Sequence, residues 1–107
     1  MAEIHASLPA KERSEVYVGK YIIVGLTYLD ADGTFLRVDQ RHGVIVMVET
    51  AGIGIALKGD HDGETLSVPL DLRAITDADP GEYVLASTNE VVVDPDLIST
   101  WTLMKAA

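Results

Sequence analysis

The chain has 107 residues, 48% of them apolar, no cysteine, and a formal net charge of −9. That length makes one domain with room for a core, and the missing cysteines exclude disulfides, thiol nucleophiles and cysteine-bound zinc. The negative charge repels phosphate backbones, so nucleic acid is not an expected partner.

The first residues, Met1 to Pro9, show no basic segment followed by an apolar one, and no apolar run reaches the roughly 18 residues of a membrane helix. A cytoplasmic protein without membrane contact is expected. Within residues 61–107 only Arg73 and Lys105 oppose the acids, so most of the negative charge lies in the C-terminal half.

Residues 1–15 read as a tail or a short helix, with Ser7 as cap and Pro9 in the first turn. From Val16 the chain is rich in β-branched and aromatic residues. Residues 16–29 predict one bent strand, or two broken near Gly19. Asp30-Ala31-Asp32-Gly33 predicts a hairpin turn. Thr34 to Asp39 returns with alternation, Leu36 and Val38 on one side, Arg37 and Asp39 on the other. Gln40 to His42 then reads as a turn into a central strand, Val44 to Val48, apolar throughout and expected to be buried on both faces.

After a turn at 49–52, Ile53, Ile55 and Leu57 face the core while Gly54 and Ala56 leave room for a close neighbour. Asp60-His61-Asp62-Gly63 turns again, and Glu64 to Pro69 predicts a strand ending at the proline. Leu70 to Ile75 suits a single helical or 3₁₀ turn. Asp79-Pro80-Gly81-Glu82 predicts a tight turn, and residues 83–86 and 91–93 form a last hairpin around Ser87-Thr88-Asn89-Glu90. Asp94-Pro95-Asp96-Leu97 predicts a short helical turn, and Thr100 to Met104 closes as a terminal strand.

Short strands joined by tight turns, without βαβ spacing, predict an all-β fold: a small antiparallel barrel with one or two short helical turns. The hairpin order over about residues 16–105 resembles small bacterial SH3-like barrel proteins. The resemblance implies that fold for residues 16–107 and brings no functional residues with it.

No catalytic constellation is visible. There is no Gly-x-Ser-x-Gly elbow and no His-x-x-x-His pair, and neither Asp-x-Asp-Gly turn has the surroundings of a calcium loop. The expectation is therefore a non-catalytic protein with no metal and no cofactor. Its acidic C-terminal half would dock a basic protein partner through Asp77, Asp79, Glu82, Asp94 and Asp96. A second reading is a small-ligand or metal-binding barrel using Arg41 and His42, a histidine placed at the start of the central strand. A third is a structural homo-oligomer subunit. A homodimer is expected from the many two-sided apolar strands, with Ile22, Val24, Phe35 or Met104 at its interface.

Overall fold

The computed structural model describes residues 16–104, so the expectation for residues 1–15 lies outside the described residues. Eight strands follow in order: β1 Tyr21–Leu29, β2 Phe35–Glu49, β3 Gly52–Leu57, β4 Thr65–Val68, β5 Ile75–Asp77, β6 Glu82–Val84, β7 Val91–Val93 and β8 Leu97–Met104. Two 3₁₀ turns, Gly59–His61 and Leu72–Ala74, complete the regular structure. The fold is all-β.

Six strands form one sheet in the order β4-β3-β2-β1-β8-β5, and β6 with β7 forms a separate two-stranded sheet. No ladder joins β4 to β5 among the described residues, so the large sheet is not a closed barrel. The antiparallel expectation fails at one seam. β1 and β8 run parallel, from Ile22 beside Leu97 to Leu29 beside Met104. Hairpin signals report only neighbours in sequence, and this pair is joined by the whole intervening chain.

β1 starts after Gly19, whose φ of 93° marks the expected break, but no strand precedes it: Val16 and Tyr17 are helical and Val18 lies in a turn. β2 departs further from expectation. It runs unbroken through Gln40, Arg41 and His42, because β1 pairs with it from Leu29–Phe35 to Tyr21–Val44. Its polar residues find partners within the fold, so they do not end the strand. Two register shifts mark it, one near Leu36 and one at Val46. The second turns Val46 and Met47 toward solvent while Ile45 and Val48 stay buried. The central run is therefore covered on one face only.

Side chains alternate between the two faces of the sheet. On the first, Ile22, Val24 and Leu26 of β1 join Ile45 and Val48 of β2, Ile53, Ile55 and Leu57 of β3, Val68, Ile75, Leu97 and Trp101 in the main core. The three β3 residues sit as their alternation predicts. Trp101 is 7% exposed, and its indole N–H donates to Ser99 Oγ at 3.1 Å. Gly43 is required at the β2–β3 seam, where a Cβ would meet the Ala56 carbonyl.

On the second face, Ile23 packs with Leu85 and Val92, flanked by Tyr21, Tyr83 and Ile98. This smaller core holds the β6–β7 hairpin on the sheet. The helical turn expected at 94–97 does not form: Asp94 takes a φ of 51° and β8 begins at Leu97. Of the residues expected at a dimer interface, Ile22 and Val24 are 1% and 0% exposed and belong to the core, whereas Phe35 and Met104 are exposed.

Candidate functional site

Chemistry-bearing side chains gather where the β6–β7 hairpin meets the second face. Ile23 of β1 lies opposite His42 of β2, so His42 projects toward the hairpin. Its ring is 2.6 Å from the Tyr21 hydroxyl at Nδ1 and 3.0 Å from Glu90 Oε2 at Nε2. Glu90 Oε2 also accepts from the Asp60 amide at 3.1 Å, and the Glu90 amide donates to Thr88 Oγ1 at 3.3 Å. Gly59 passes so close that a Cβ there would strike Glu90 Oε2 and His42 Nε2, and its φ of 68° independently favours glycine. Three other parts of the chain converge on the His42 imidazole.

The hydrogen bond from His42 and burial act in opposite senses on Glu90. The bond wins, helped by the Asp60 amide and Thr88, and holds the carboxyl below its ordinary value. An ionised Glu90 only accepts, so Nε2–H donates to it, and in the neutral imidazole that leaves Nδ1 to accept from the Tyr21 O–H. Burial, and then the Glu90 charge, raise the Tyr21 phenol.

Hydroxyl, imidazole and carboxylate stand in the order of a proton relay. Yet the raised phenol stays protonated at neutral pH, and the bonds of all three groups point into the fold. The arrangement acts as a clamp. A second pin lies beside it: the Gln40 amide donates to Ser87 Oγ at 2.9 Å, and the Ser87 amide donates to Gln40 Oε1 at 3.3 Å.

Arg41 and His42 do not form one ligand pocket. Arg41 lies opposite Val24, hence on the main-core face, and its Nη1 donates to the Gln40 carbonyl at 3.0 Å with Asp39 4.0 Å from Nη2. Successive residues of a strand face opposite ways, and these two do.

The five acids fall at the base of the hairpin. Glu82 pairs with Val93 in the β6–β7 ladder, and Asp77 pairs with Leu97. Asp94 Oδ1 accepts from the Gly81 amide at 2.7 Å, and Asp96 Oδ2 accepts from the Tyr21 amide at 2.8 Å. Those two carboxylates hold backbone together. Asp77, Asp79 and Glu82 are exposed. A cavity of about 170 Å³ between Val16, Tyr17, Lys20, Asp77, Asp96 and Leu97 places one cation beside two of the acids. No lysine or arginine occurs between Arg73 and Lys105.

Sequence reasoning missed the hairpin's outer face. Tyr83 and Val92 point to the sheet, so Val84, Val91 and Val93 turn outward with Glu82, and these valines are 66%, 53% and 60% exposed. Three successive valines give no sign of which ones a sheet beneath will cover. Glu90 and Tyr21 were missed as well, being far from His42 in sequence.

The two Asp-x-Asp-Gly stretches are turns. Asp30 Oδ1 accepts from the Asp32 and Thr34 amides at 3.1 and 3.0 Å, and Asp32 Oδ1 accepts from the Thr34 amide and hydroxyl at 3.0 and 2.7 Å. Among the described residues, no three His, Asp or Glu side chains converge as metal ligands, and no helix is long and apolar enough to cross a membrane. Comparison with protein-family models, curated proteins and solved structures finds no match.

Proposed function

We propose that this chain is a non-catalytic interaction module that docks a basic protein segment on the outer face of the β6–β7 hairpin. One observation carries the reading: Val84, Val91 and Val93 lie exposed on one face, with Glu82 in the same ladder and Asp79 and Asp94 at its base. Interfaces combine an apolar centre with a charged rim, and an acidic rim selects a basic partner and speeds its approach. The hairpin is also fixed beforehand by the His42 and Gln40 pins, which lowers the ordering cost of binding. Neither edge of this two-stranded sheet has a further strand among the described residues, so an extended segment can add to it.

Asp77, Asp79 and Glu82 supply the steering charge in this reading, while Asp94 and Asp96 contribute field from their structural positions. The SH3-like resemblance belongs to the same proposal, supported by the 3₁₀ turn just before β5 and by the main core on the first face of the large sheet. A cytoplasmic setting fits the cysteine-free chain.

The test is a tagged pull-down from the host at low and raised salt, using wild type, Glu82→Lys and the double variant Val84→Ser, Val91→Ser. A basic partner should be captured by wild type, released by salt, and bound about tenfold more weakly by either variant. Equal capture by all three proteins would remove the hairpin face from consideration.

A further inference from the structure

β2 carries a second exposed feature, independent of the hairpin. β3 covers the outer edge of β2 only from Gly43, which pairs with Leu57, to Glu49. The N-terminal part of β2, from Phe35, has β1 on one side and no strand on the other among the described residues. The backbone direction along this edge follows from two bonds. The His42 carbonyl accepts from the Lys58 amide at 2.9 Å, away from β1, and the Gln40 amide donates outward to Ser87 Oγ at 2.9 Å. In an antiparallel ladder the outward groups recur at every second residue, so the N–H and C=O of Val38 also point away from β1.

Ser87 caps the edge at Gln40, but nothing among the described residues caps it at Val38. Phe35, Leu36 and Val38 are 60%, 43% and 46% exposed beside it. An open, apolar edge of this kind is a template for another strand.

The charges choose the strand. Arg37 and Asp39 flank Val38 on one face, and their side chains lie 3.1 Å apart. We propose that this edge pairs antiparallel with the same edge of a second copy, about a two-fold axis at Val38. The outward groups of the two Val38 residues then exchange both hydrogen bonds. Arg37 of each copy lies opposite Asp39 of the other, so four charges alternate around the axis. Shifting the axis to Arg37 would set two guanidinium groups against each other, and shifting it to Asp39 would do the same with two carboxylates. The ladder is short, ending where Ser87 stands, so the dimer is a weak one.

Sedimentation equilibrium between about 10 µM and about 1 mM covers the range of a small interface. The mass of the wild-type protein should rise with concentration toward twice the monomer. Val38→Pro should stay monomeric yet folded, because its lost N–H serves no ladder bond within the chain. Arg37→Asp and Asp39→Arg should each weaken association about tenfold by setting like charges opposite, and the double exchange should restore it. A wild-type monomer at every concentration would overturn the proposal, as it would if another part of the chain or a different protein covers the edge. Undiminished association of Val38→Pro, or a double exchange no better than the single ones, would do the same.

Discussion

Replacing His42 by phenylalanine removes the polar part of the hairpin clamp. The larger ring leaves no cavity at a position only 7% exposed, and it adds overpacking against Gly59 to the polar loss. Two hydrogen bonds go, from Tyr21 at 2.6 Å and to Glu90 at 3.0 Å. The bond to an ionised carboxylate is worth about 1.5–3 kcal/mol and the phenol bond about 0.5–1.5 kcal/mol. Glu90 is 17% exposed, so water recovers part of its loss. The net expectation is a destabilisation of about 2–3 kcal/mol, a large share of the roughly 5–15 kcal/mol that holds a small domain. His42→Ala adds a cavity and should cost about 1–2 kcal/mol more. Urea unfolding followed by Trp101 fluorescence reads both variants. A His42→Phe protein within about 0.5 kcal/mol of wild type would show that the network does not hold the hairpin.

Further expectations follow from the same geometry. Because Glu90 has a lowered folded-state pKa, the stability it contributes is present above its unfolded value near 4.5 and is lost as pH falls through the folded value; the stability gap between wild type and Glu90→Gln should therefore be widest near neutral pH and narrow in acid, and a gap constant with pH would contradict the linkage. Gly43→Ala would drive a Cβ into the Ala56 carbonyl and should cost more than about 3 kcal/mol or prevent folding, as judged by circular dichroism. Val46→Thr, on the bulge and 51% exposed, should stay within about 0.5 kcal/mol of wild type, and a larger loss in the same urea assay would mean that the outer face of β2 is covered.

Much of the fold was legible in local sequence. Glycine and aspartate turns located the hairpins at 30–33 and 60–63, alternation put Ile53, Ile55 and Leu57 inward, and the 3₁₀ turn before β5 formed near its expected place. The failures share a cause. The unbroken β2, the parallel β1–β8 seam and the bulge at Val46 all depend on how strands pair with one another, which local propensity does not report. Arg41 and His42 looked like a turn because their polarity was visible, whereas Tyr21 and Glu90, which allow His42 to be buried, were not. At the acidic site the residue types were readable, but not that two of the five exposed carboxylates, Asp94 and Asp96, hold backbone amides. The valines at the centre of the proposed surface became visible only once Val92 had been placed beneath them.

The most direct test of the docking reading follows the backbone amide resonances of labelled protein while a short peptide of alternating lysine and valine is added. At low salt the shifts should concentrate on residues 81–94, with Val84, Val91 and Val93 among the largest, and they should fade as salt is raised. Shifts centred on other acids, such as those of the turns at 30–33 or 59–63, or no shifts at all, would contradict the assignment of the hairpin face as the docking surface.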